Sequence, residues 1–104
     1  MTLEQISTNE LAITAGAGAA IRDENTRKYI FDCLQRFYSV DYGMIPAEDA
    51  AANNAEIEAG QGRIIGRYEQ AHTLRENILI IAYFSDNNRE TDYNYTTVLY
   101  PSEY

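Results

Sequence analysis

Asp49, Asn53, Arg63 and Tyr68 are the residues whose types and order come nearest to a reactive set. A carboxylate for acid–base work and a guanidinium for an anion would suit a small hydrolase, using Asp or Glu with Arg63 or Arg67. Such chemistry requires the helix and strand that carry these residues to line one cleft. It also requires a nucleophile with a base beside it, or ligands at metal spacing, and neither pattern is present in the sequence. His72 and Cys33 are the single members of their kinds, so no disulfide closes within the chain and no tetrahedral zinc site of the usual kind assembles. Cys33 falls within an apolar helical stripe, where a buried structural thiol is expected.

Other constellations reduce to simpler accounts. Glu48 with Asp49, and Glu56 with Glu58, read as charges on a surface helix rather than as paired catalytic acids. Asp86 to Asp92 places oxygen ligands at alternating positions, as a calcium loop does. It lacks the mid-loop glycine, where Thr91 stands, and the final glutamate, where Thr97 stands. Gly16-Ala17-Gly18 follows a possible strand, yet Ile21 occupies the third glycine position of a dinucleotide fingerprint, and a close-packed helix or turn is the better reading. No cofactor is expected.

Charge narrows the partners. Sixteen acidic residues against eight basic ones give a net charge of −8 in 104 residues. Direct nucleic-acid binding needs a basic patch that displaces counterions, and a polybasic membrane contact needs the same. No apolar run approaches the length of a membrane helix. The chain reads as a cytoplasmic protein with no leader segment, and its partner is expected to be another protein with a basic surface. Nine tyrosines and no tryptophan suit half-buried strand positions and interfaces.

The elements that must position these residues follow from periodicity. Glu10 to Thr14 is compatible with a short strand. Asp23-Glu24-Asn25 supplies a helix start, and Tyr29, Ile30, Cys33, Leu34, Phe37 and Tyr38 form one stripe of a helix running to about Ser39. Lys28 with Asp32 and Asp32 with Arg36 have the spacing of ion pairs on its outer face. A second, Ala-rich helix starts near Pro46 and stops at Gly60, with so thin an apolar face that it should lie on the surface. Gly62 to Tyr68 reads as a strand bent or bulged at Gly66. Residues 70–75 turn the chain, and the runs 76–84 and 95–100 form an antiparallel pair. The expected architecture is α+β in a single domain over 1–104: one long helix and a shorter Ala-rich helix packed on a three- or four-stranded, mainly antiparallel sheet.

Asp49, Asn53, Asn54, Gly60, Gly62-Arg63-Ile64-Ile65, Tyr68 and the closing Thr96-Thr97-Val98-Leu99-Tyr100-Pro101-Ser102-Glu103-Tyr104 occur in one order. With them the chain, over residues 11–104, resembles a family of small proteins borne by plasmids, integrative elements and phages and often catalogued as plasmid-related proteins. Asp41-Tyr42-Gly43 stands where that family carries Asp-Trp-Gly, and Ile80-Ile81-Ala82-Tyr83 replaces the polar end of a family strand. The resemblance implies a mobile-element setting and brings no activity with it. The expected function is that of a small acidic, non-enzymatic protein-interaction module, blunting a host defence by charge mimicry. Asp41, Tyr42, Glu48, Asp49, Asp86, Glu90, Asp92 and Tyr93 are its contact residues. The hydrolase, and an oligomer formed through a strand edge or the tyrosines, are the alternatives.

Overall fold

A computed structural model of the protein describes residues 10–85 and 95–104. Strand β1 (Glu10–Ile13) leads into a short helix α1 (Ala15–Ala20), then helix α2 (Glu24–Tyr38) and helix α3 (Ala47–Ala59). Strands β2 (Gln61–Tyr68), β3 (Ile78–Ser85) and β4 (Tyr95–Leu99) follow, and a 3-10 turn spans Pro101–Glu103. The sheet order is β1-β4-β3-β2. The β2–β3 and β3–β4 pairs are antiparallel and the β1–β4 pair is parallel. The α+β architecture expected from the sequence is the one observed, with the sheet at four strands and α1 as an additional short helix. None of the described helices is long and apolar enough to cross a membrane.

The core explains why β3 is written as an almost unbroken apolar run. Ile78, Ile80, Ala82 and Phe84 face α2, meeting Ile30, Cys33, Leu34 and Phe37 together with Ile64, Tyr68, Val98 and Tyr100. Leu79 and Ile81 point to the other face and join Leu99, packed by Ile65 and Tyr83. A strand buried on both faces has no position for a polar side chain. Burying each such Ile or Leu contributes roughly 1.5–3 kcal/mol, so this strand is the main apolar support of the domain. Within this core the Thr96 hydroxyl is buried, with the Tyr38 hydroxyl as its polar neighbour.

Asp23 caps α2 by accepting from the Thr26 backbone N–H at 2.9 Å. Along the outer face, Lys28 pairs with Glu24 at 3.5 Å rather than with Asp32, and Arg36 turns forward to Asp41 at 2.7 Å. Glutamate one turn N-terminal to lysine is the better-oriented pair, which decides the first choice. The helix closes in a Schellman arrangement: Asp41 N–H bonds to Arg36 C=O at 2.9 Å and Val40 N–H to Phe37 C=O at 3.3 Å. Val40 therefore takes the left-handed position usually given to glycine, with φ of 69°, while half exposed. A β-branched residue there costs on the order of 1–2 kcal/mol, and its exposed side chain offsets little of that. Val40→Gly should raise the thermal midpoint by a few degrees, equivalent to about 1 kcal/mol.

The bend or bulge expected at Gly66 is absent: β2 pairs with β3 in continuous register through Gly66 and Ile80. Gly66 is needed for space instead, since a Cβ there would lie 2.6 Å from the Tyr68 hydroxyl and 3.0 Å from Phe37.

Candidate functional site

The site begins with a polar residue in an otherwise bland helix. Asn53 is buried, and its side-chain amide grips both backbone groups of Ile65: Nδ2 donates to the carbonyl at 2.8 Å, and Oδ1 accepts from the N–H at 3.1 Å. An amide side chain thus takes the place of a neighbouring strand along the outer edge of β2. Two residues on, Arg67 N–H donates to Tyr42 C=O at 3.0 Å, and Arg67 C=O accepts from Met44 N–H at 2.7 Å. These contacts fix α3 beside β2, running in the opposite direction. Gly60 at the end of α3 allows the immediate return, with φ of 78°.

A trough of about 500 Å³ lies between them. Asp49 and Glu56 line it from α3, Arg63, Ile65 and Arg67 from β2, and Tyr104 stands at one side. Arg63 lies 5.9 Å from the Tyr104 ring centre and donates a hydrogen bond to its hydroxyl. Among the described residues, Asp49, Glu56 and Arg67 make no ion pair or side-chain hydrogen bond, and Arg63 makes none besides that to Tyr104. Both signs of charge thus stand in one cleft without neutralising each other.

Tyr104 is held there by the turn that precedes it. The Glu103 carboxylate accepts from Thr14 Oγ1 at 2.7 Å, from Tyr100 N–H at 3.0 Å and from Gly16 N–H at 2.9 Å. Glu76 accepts from Ser102 N–H at 3.1 Å and from its hydroxyl. The hydrogen bond from Thr14, then those from the backbone N–H groups, hold the Glu103 carboxyl below the usual glutamate range. A lowered carboxyl supplies its stabilisation fully above the unfolded value and loses it as pH falls through the folded one. Urea midpoints should accordingly fall on the acid side of the ordinary glutamate pKa, and Glu103→Gln should flatten that slope while lowering the midpoint at neutral pH.

The reactive set suggested by the sequence is divided. Asp49, Asn53 and Arg63 share the trough, but Tyr68 points to the opposite face, fully buried. Its hydroxyl donates to the Asp41 carbonyl at 2.8 Å, and burial pushes its pKa far up, so that it stays protonated. Asn53 is occupied by Ile65. Of the proposed contact residues, Tyr42 is inside the protein, in a T-shaped ring pair with Phe37 and with its hydroxyl donating to Asn54 Oδ1 at 3.0 Å. It cannot serve as an outer contact, because the loop folds inward to bridge Arg67.

Asp41 is exposed but engaged, accepting from Arg36 and from Gly43 N–H at 3.0 Å; Arg36 first, then that N–H, hold its carboxyl below the ordinary value. Glu48 and Asp49 are exposed in the first turn of α3. Asp86, Glu90, Asp92 and Tyr93, and the calcium-like loop, lie outside the described residues. Cys33 is buried, its thiol pushed up to about 11 by that burial, whereas His72 is exposed and forms a T-shaped ring pair with Tyr29. Among the described residues no group of three or more His, Cys, Asp or Glu is placed to hold a metal ion. Tyr104 was not foreseen as part of a site; Pro101 and Glu103, at the first and third positions of a turn, are the signal that the segment docks.

Comparison with protein-family models, with curated proteins and with solved structures gives no match.

Proposed function

We propose that the chain is a small non-enzymatic protein-interaction module that meets its partner along α3 and the trough beneath it. One observation carries this reading. Helix α3 holds Glu48, Asp49, Glu56 and Glu58 and no basic residue, and none of the four makes an ion pair or a side-chain hydrogen bond among the described residues. Asp23, Asp41, Glu76 and Glu103, by contrast, each hold a local contact in the fold. Glu56 and Glu58 also sit toward the C-terminal end of α3, where the helix dipole disfavours anions by roughly 0.3–1 kcal/mol each. Carboxylates retained against the local electrostatics, beside exposed alanines that admit close approach, suit a basic protein surface. In a mobile-element setting such a module would occupy the nucleic-acid groove of a host defence factor. The acids that mimicry would draw from Asp86, Glu90 and Asp92 lie outside the described residues, so the reading rests on α3.

The test is affinity capture from a lysate of the native host, comparing the chain with Glu48→Lys/Glu58→Lys. A protein held at low salt, released at moderate salt and not held by the variant supports the reading. Identical captures by both chains, or none by either, refute it.

The small hydrolase gains one supporting observation, the meeting of Asp49 with Arg63 and Arg67 in one trough. The described residues lining that trough include no serine, threonine, cysteine or histidine to act as a nucleophile–base pair.

A further inference from the structure

The charges in the trough have an order as well as a sum. Helix α3 and strand β2 run in opposite directions about the Asn53–Ile65 contact. Glu56 lies at the Arg63 end, where its carboxylate occupies the space that a Cβ on Gly62 would need, and Asp49 lies toward Arg67. Asp49 and Glu56 are seven residues apart on a helix, about 10 Å along its axis. Arg63 and Arg67 are four residues apart on a strand, about 13 Å. The two rows nearly match in length. One wall is negative and the other positive, and Ile65 of β2 and Leu79, paired with Arg67 across the β2–β3 ladder, line the trough with them. Neither wall has reached across to the other: no ion pair closes between these four residues.

We propose that this trough receives an extended peptide segment in which acidic and basic side chains alternate, an inference that rests on the protein-interaction reading above. In an extended chain successive side chains point to opposite sides. A segment lying along the trough therefore turns every second residue toward α3 and the others toward β2. Lysine or arginine on the first side meets Asp49 and Glu56, and aspartate or glutamate on the second meets Arg63 and Arg67, which bind carboxylates through paired N–H donors. About four residues span the 13 Å between the arginines, and aliphatic stems of the ligand cover Ile65 and Leu79. A uniformly basic segment satisfies one wall and is repelled by the other, and a uniformly acidic one faces the same conflict in reverse. Tyr104 closes one side and holds Arg63 in place through its hydroxyl.

The experiment uses isotope-labelled full chain and blocked peptides of about six residues at low ionic strength, with backbone amide and arginine side-chain NMR signals as the readout. Four probes are compared: alternating glutamate and lysine, the same composition as two blocks, all lysine, and free glutamate with free lysine. The expected result is that the alternating peptide shifts Arg63, Ile65 and Arg67 and binds at least about ten-fold more tightly than the others. Arg67→Glu should weaken it about ten-fold, and reversing all four charges together (Asp49→Lys, Glu56→Lys, Arg63→Glu, Arg67→Glu) should recover binding, because a one-residue shift of the peptide meets the reversed walls. Unchanged signals elsewhere verify that the variants fold. No shift at millimolar peptide, equal binding of the block or all-lysine peptide, or an equal response to the free amino acids overturns the proposal. If the peptide assay fails while Glu48→Lys/Glu58→Lys still abolishes capture, the trough is refuted and the module reading stands. Failure of both refutes both.

Discussion

Asn53→Ala should lower the folding free energy by about 3 kcal/mol, more than the loss of any exposed charge in this protein. The truncation removes two hydrogen bonds and strands the N–H and C=O of Ile65, which Asn53 alone satisfies along the outer edge of β2. Each buried backbone group left unpaired costs about 1–3 kcal/mol, and alanine regains nothing except helix propensity. Urea denaturation measures the loss, and hydrogen exchange at the Ile65 amide localises it. Asn53→Asp separates the two bonds. At neutral pH its carboxylate still accepts from the N–H but faces the Ile65 carbonyl with a lone pair. Protonation supplies the missing donor, so this variant should regain stability on acidification. If Asn53→Ala lost under 1 kcal/mol, Asn53 would not be what holds α3 on the sheet.

Gly43→Ala is the second large effect, again about 3 kcal/mol or more. Gly43 has φ of 74°, and an added Cβ would fall 2.0 Å from the Arg67 carbonyl oxygen and 2.9 Å from the Tyr68 ring. The obstructing oxygen cannot move aside, since it accepts from Met44 N–H in the bridge that fixes the loop to β2. Left-handed strain and a backbone collision therefore add, and the loop must detach. Gly18→Ala is the informative contrast. It lies inside α1, where a Cβ meets only Ile13 at 3.8 Å. It should stabilise by about 0.5–1 kcal/mol, so two identical substitutions are expected to act with opposite sign.

The elements that a local pattern announces were legible. The apolar stripe of α2 repeats at helical spacing, the acids after Pro46 and Gly60 mark α3, and the β3 run is dense enough to imply a central strand. What depended on pairing choices was not. Lys28 has an acid one turn away on either side, and the spacing alone does not show that Glu24 is taken. Asn53 reads as a solvated residue on an Ala-rich surface helix, because its partner is backbone, which has no signature in sequence. Tyr42 sits beside Asp41 and Gly43 in a polar loop, yet the bridge to Arg67 carries its ring inward. Half of the trough was visible as an ordered set of residues. Tyr68 was drawn into that set by order along the chain, whereas the alternation of strand faces assigns it to the core.

The parallel seam between β1 and β4 joins Glu10 to Tyr95 and Ile13 to Val98 across nearly the whole described chain. Among the described residues β1 pairs with β4 alone, while α2 and the β2–β3 ladder can associate through nearer contacts. Synthesis from the N-terminus therefore makes this strand early and seats it late. Throughout that interval the backbone N–H and C=O groups that β1 directs at β4 have no ladder partner. The Glu103–Thr14 contact, which closes beside the seam, then serves as the latch that ends the exposure.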